Sequence, residues 1–198
     1  MNYLLPLLSV LIGYIFALVI QPKDKVKLKL LLAFSGSFLL SLTVIHLLPE
    51  IYESNNSRIG LFIMVGILFQ IILEYFSQGA EHGHVHGHSK MEHIPWLLFI
   101  SLCIHALAEG FPVGHHHDLA MGIAIHHLPI AIILTTFFIN ANLNNKAIFL
   151  FMITFAIMTP LGTILSNYLP LLNVYYNEIT AIVIGILFHI SSTIIFES

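Results

Sequence analysis

The chain has 198 residues, 58% of them hydrophobic and only 9% charged, with a mean hydropathy of +0.92 and a formal net charge of −3. A soluble domain usually carries about 25% charged residues, so too little polar surface exists here to cover a globule in water, and a bilayer is the expected solvent. The single cysteine, Cys103, allows neither an intrachain disulfide nor a CxxC metal knuckle, and no nucleic-acid partner is expected.

Roughly 20 apolar residues span a hydrocarbon core. Seven segments qualify: 3–20, 30–48, 59–77, 94–114, 119–139, 147–166 and 179–196. The first lacks a basic start and a small-residue cleavage site, so it is read as a retained transmembrane helix. The connections are short and polar, with no room for a soluble domain or an ATP-hydrolysing module. The expectation is an all-α polytopic membrane protein with seven transmembrane helices, residues 1–198 forming one transmembrane domain. With the N-terminus outside, Lys23, Lys25, Lys27, Lys29, Lys90 and Lys146 fall on inner loops and only Arg58 lies outside. That is the orientation the positive-inside rule favours.

Segment two ends in HLLPE, which places His46 and Glu50 towards the outer side. Segment three carries Gln70 and Glu74 in FQIILEY, towards the inner half. The loop at 78–93 holds His82, His84, His86 and His88 alternating with glycine and valine, a flexible tract suited to metal capture. There are 13 histidines against 7 Lys plus Arg, and imidazole is a common transition-metal ligand.

Segment four contains IHALAEG. His105 and Glu109 are four residues apart, so they share one helix face about one turn apart. Ionisable groups inside a span are costly, and by default they are functional hypotheses. A second cluster, His115, His116, His117 and Asp118, follows on the outer side. Segment five contains AIHHLPIAI, with His126 and His127 mid-span. Helices four and five run antiparallel across a short turn, so His105, Glu109 and His126 are expected to meet at one depth. Pro129 removes a backbone donor and crowds the carbonyl of Ile125, and Pro160 in segment six does the same to Ala156. A local helix break is expected beside the histidines, a usual device at ion sites.

Segment seven carries His189 in GILFHI (185–190), nearly a copy of GILFQI (66–71). Six common apolar types make a weak repeat. Gln70, Glu74, His189, His46 and Glu50 are expected to line the ion's path.

These motifs resemble the ZIP (Zrt/Irt-like) family of metal transporters. The resemblance runs from about residue 30 to the C-terminus. It rests on HLLPE, on LEYFSQGAEHGH leading into a histidine-rich loop, and most specifically on H-x-x-x-E-G followed by H-x-x-P. It implies a ZIP-like helix bundle of eight helices, of which the last is unmatched in this sequence. It further implies inward transport of zinc or a similar ion, with His105, Glu109 and His126 as ligands. Where the family often has further metal-binding groups, this chain has Ala106, Ile130 and Thr159. His127 stands where an acidic or amide residue is frequent, and its part as a ligand stays open. A single-metal site is therefore expected.

Two imidazoles and a carboxylate suit Zn²⁺; Fe²⁺, Mn²⁺ and Cd²⁺ are compatible as transported ions. No organic cofactor and no enzymatic activity are expected. A bacterial inner membrane is the expected location, and the oligomeric state stays open, a homodimer among the options. Two other functions compete. One is a metal sensor or inactive relative that binds without transporting. The other is an intramembrane zinc hydrolase, for which HExxH is missing and Glu109 would have to serve as ligand or as base.

Overall fold

Helix is the only regular structure among the residues that the computed structural model describes, namely 4–22, 24–54, 56–77, 95–114 and 117–197. A segment in lipid must satisfy its own backbone donors and acceptors, which a helix does. The helices are α1 (Leu4–Ile20), α2 (Lys25–Leu42), α3 (Leu48–Glu53), α4 (Ile59–Ser77), α5 (Trp96–Val113), α6 (His117–Asn140), α7 (Asn145–Tyr168), α8 (Pro170–Val174) and α9 (Tyr176–Glu197). Six helices are long and apolar enough to cross a membrane, with α2 and α3 counted as one. Helix α1 is apolar but only 17 residues long. Six such helices suggest an integral membrane protein.

The second helical segment is longer than the sequence suggested, starting at Lys25 and running to Glu53 rather than spanning 30–48. Its start is fixed by Asp24, whose Oδ1 accepts from the amides of Val26 (3.1 Å) and Lys27 (3.2 Å). The Lys27 amide holds the Asp24 carboxyl below its usual range, as expected at a helix N-terminus. Towards its end the helix widens into a π turn at Thr43–Leu47, where the Leu48 N–H donates to the Thr43 carbonyl. The wider turn comes just before Pro49, which cannot donate and would crowd the carbonyl four residues back. Helix α6 likewise begins at His117 and takes Asp118 into its first turn.

The expected breaks at Pro129 and Pro160 do not occur: α6 and α7 run through both prolines. In a bundle, packed neighbours and small local adjustments make a single missing donor tolerable.

Three parallel helix pairs organise the bundle. Helix α1 lies on α6, where the Ser9 hydroxyl donates to the Ala124 carbonyl. One turn further on, a Cβ at Gly13 would press on Ala131 and on the carbonyl of Leu128. Helix α4 lies on α9 through a reciprocal contact. A Cβ at Gly66 would overlap the carbonyl of Ile182, and one at Gly185 the carbonyl of Ile63. Helix α5 lies on α7 in the same way, Gly110 against Thr159 and Gly162 against Leu107. Small residues let backbones approach where no hydrophobic force drives helices together. The near-repeat GILFQI/GILFHI thus marks a contact, because its two glycines meet.

Exposed aromatics mark the two ends. Tyr52, Tyr168 and Tyr175 stand at one end, Tyr75 and Trp96 at the other. Such belts suit membrane–water interfaces.

Candidate metal centre

The buried interior forms two apolar layers stacked along the helices. The layer towards the Trp96 end takes Leu98, Leu102 and Ala106 from α5, Ile130, Ala131 and Leu134 from α6, and Phe151 and Phe155 from α7. The layer towards the Tyr168 end takes Phe111 and Val113 from α5, Leu119, Ala120 and Ile123 from α6, and Ala181 and Ile184 from α9. Where the layers meet lie His105, Glu109, His126 and His127, each at most 1% exposed.

Helix geometry places them. His105 and Glu109, at i and i+4 on α5, are 3.1 Å apart between Nε2 and Oε1. The glycine next to Glu109 is Gly110, so the tight α5–α7 crossing fixes the backbone beside the carboxylate. Thr163 Oγ1 strengthens that crossing by donating to the Gly110 carbonyl at 2.8 Å. On α6, His126 offers a nitrogen that joins a nitrogen of His105 and a carboxylate oxygen of Glu109 in a set whose ligand atoms are all within 4.8 Å of one another. His127 reaches the other oxygen of the same carboxylate, its Nε2 2.8 Å from Glu109 Oε2. Its ring packs 5.3 Å from that of Phe155, and its Nδ1 has no hydrogen-bond partner.

Metal–ligand bonds of about 2.0–2.1 Å in a tetrahedron put ligand atoms about 3.4 Å apart. His105 and Glu109 already stand at 3.1 Å and all three ligand atoms lie within 4.8 Å, so small side-chain rotations would close the set on an ion. A buried carboxylate also needs polar partners, which the flanking imidazoles supply. The donor set fits Zn²⁺ and is compatible with Fe²⁺, Mn²⁺ and Cd²⁺. Among the described residues it is the sole grouping of three or more potential ligands close enough to share an ion.

The other expected residues divide. Glu74 and His189 do meet, Oε2 to Nε2 at 2.5 Å, across the α4–α9 pair. Gln70, one turn back on α4, is fully buried. Ser101 Oγ donates to the Leu73 carbonyl at 2.7 Å. Because Ser101 precedes His105 by one turn, Glu74 sits roughly 6 Å along the bundle axis from His105, towards the Trp96 end. His46 lies exposed within the π turn, and Glu50 and Asp118 are exposed as well. None of these joins the buried grouping. His82, His84, His86, His88, His115 and His116 lie outside the described residues, and of His117 only the backbone is described.

The role of His127 against Glu109, the reciprocal glycine crossings and the Ser101 and Thr163 hydroxyls were not read from the sequence. The recurrence of GILF with a glycine at its head was the available signal for one crossing. Nothing in the neighbouring letters of HH separates His126 from His127. No protein-family model matches the chain, and neither a curated protein nor a solved structure matches it.

Proposed function

We propose that this chain is a ZIP-like transporter that carries a divalent transition metal, zinc foremost, inward through one intramembrane site made by His105, Glu109 and His126. The observation that carries the proposal is that trio: two imidazoles and a carboxylate, fully buried at mid-helix, with ligand atoms within 4.8 Å. Intramembrane ionisable groups are expensive enough to call for a use. The apolar layers on both sides suit a site closed to water while the ion rests there.

In this reading α1 also crosses the bilayer, giving seven spans, and the N-terminus faces outside. Lys27, Lys29 and Lys146 then stand at the inner end, marked by Tyr75 and Trp96, while Arg58 stands at the outer end. His115, His116, His117 and Asp118 gather the ion outside. It sheds water, binds, and is exposed inward when the helices carrying the site shift against the rest. It then passes Gln70, Glu74 and His189 to His82, His84, His86 and His88, while His46 and Glu50 line the outer approach. A bacterial inner membrane is the proposed location.

The test is uptake by proteoliposomes loaded with a zinc-sensitive dye. Zinc influx with the native chain and none with His105→Ala or Glu109→Ala supports the transporter. Binding without influx identifies a sensor or inactive relative. Metal-dependent hydrolysis of an added peptide or lipid without influx identifies a hydrolase.

A further inference from the structure

The two oxygens of Glu109 do not face the same surroundings. Oε1 is 3.1 Å from the Nε2 of His105, a member of the ligand trio. Oε2 is 2.8 Å from His127 Nε2. A carboxylate is an acceptor, so the His127 Nε2–H donates. The proton then sits on Nε2 and the lone pair on Nδ1, in keeping with a buried Nδ1 that has no partner. Phe155 packs against the imidazole ring, and His127 is 1% exposed, so the ring has little freedom to turn its Nε2 elsewhere.

We propose that His127 is a specificity-determining positioning residue, which keeps Glu109 a one-oxygen ligand by occupying its second oxygen, and is not itself a ligand. This inference rests on the metal-site reading above. Its consequence is a low coordination number. Two imidazole nitrogens, one carboxylate oxygen and a water make four, which Zn²⁺ favours. A two-oxygen carboxylate would raise the number and suit larger, oxygen-preferring ions such as Mn²⁺. The arrangement is the intramembrane form of a general pattern, in which hydrogen-bonded outer partners orient the carboxylates that bind a metal.

The experiment uses the full-length chain in detergent, with Co²⁺ as a coloured stand-in for Zn²⁺ and X-ray absorption on the Zn²⁺-loaded protein. The native chain should show the intense visible bands of four-coordinate Co²⁺ and, at zinc, two imidazoles with a one-oxygen carboxylate. In His127→Leu the bands should weaken to those of five- or six-coordinate Co²⁺. Its zinc affinity should fall roughly 10–100-fold, with a smaller loss for Mn²⁺. His127→Gln, which restores a donor, should recover the native spectrum. Three imidazoles or a two-oxygen carboxylate at zinc in the native chain would overturn the proposal even if His127→Leu does not fold. So would a His127→Leu chain that keeps the four-coordinate spectrum. Loss of all Co²⁺ binding in the native chain would instead sink the metal site, and this inference with it.

Discussion

Two carboxylates in one bundle meet imidazoles, about one helical turn apart in depth, and the two places differ in kind. Glu109 is completely buried, lies between two apolar layers, and is met by His105 and His127 while His126 closes the group. Glu74 meets His189, and their side chains are 24% and 20% exposed. The same pairing therefore serves two ends. Where water is excluded and a third donor converges, the groups can hold an ion in place of its hydration shell. Where water still reaches, and no such trio converges among the described residues, the groups can hand an ion on or tie α4 to α9.

The largest expected effect separates the two directly. Glu109→Ala should abolish measurable zinc binding, a loss greater than the roughly 10–100-fold typical of an outer partner. It also leaves buried imidazole N–H groups without their acceptor, so the unliganded protein should be destabilised by about 1–3 kcal/mol. Zinc titration and chemical denaturation of the same sample would read both. Intact zinc affinity in Glu109→Ala would erase the distinction drawn here.

The helix crossings sharpen the comparison. Gly110→Ala and Gly185→Ala each place a methyl group on a neighbouring carbonyl, and overpacking of this sort costs about 1–3 kcal/mol. Gly110 adjoins Glu109, so its variant should lose zinc affinity as well as thermal stability. Gly185 belongs to the α4–α9 pair, and its variant should lose stability alone. Gly60→Ala, where a Cβ meets nothing closer than the Tyr52 hydroxyl at 3.8 Å, should change neither.

A smaller effect is expected at the partly exposed pair. Glu74→Gln weakens one hydrogen bond, about 0.5–1.5 kcal/mol at most. It should slow zinc release into liposomes while leaving equilibrium affinity at the buried site unchanged. A drop in affinity matching that of Glu109→Ala would mean that the two regions form one site.

Acidity supplies a graded probe. His105 and His126 must be neutral to bind a metal, so protons compete with zinc, and affinity should fall as the pH is lowered. Zinc binding unchanged well below pH 5 would count against the two imidazoles as ligands. The smallest effect belongs to Asp24. Its carboxyl is held below the usual range by the Lys27 amide. Its contribution is therefore full above the ordinary carboxylate value and lost as pH falls through the lowered one. In Asp24→Ala, amide exchange at Val26 and Lys27 should be faster at neutral pH, with no change in zinc affinity.

Much of the site was legible in the sequence because helix geometry is local. The spacing of His105 and Glu109 fixes their shared face, and their alignment with His126 follows from two antiparallel apolar segments joined by a short turn. What escaped depends on contacts between distant segments. Adjacent histidines point about 100° apart on a helix, but which of them meets Glu109 Oε2 is decided by how α6 rotates against α5 and Phe155. The glycine crossings depend on partners 49 to 122 positions away. The prolines misled for a related reason: Pro129 and Pro160 do remove donors, yet tertiary packing keeps α6 and α7 continuous. At Pro49 the backbone does yield, as a π turn that apolar patterning does not encode.

The most direct measurement is the zinc stoichiometry of the purified full-length chain, compared with Glu109→Ala and with the double variant Glu74→Ala/His189→Ala, after weakly held metal has been dialysed away. One zinc should be retained in the native chain and in the double variant, and none in Glu109→Ala. Zinc retained by Glu109→Ala but lost from the double variant would place the ion's resting site at the other pair and contradict the account.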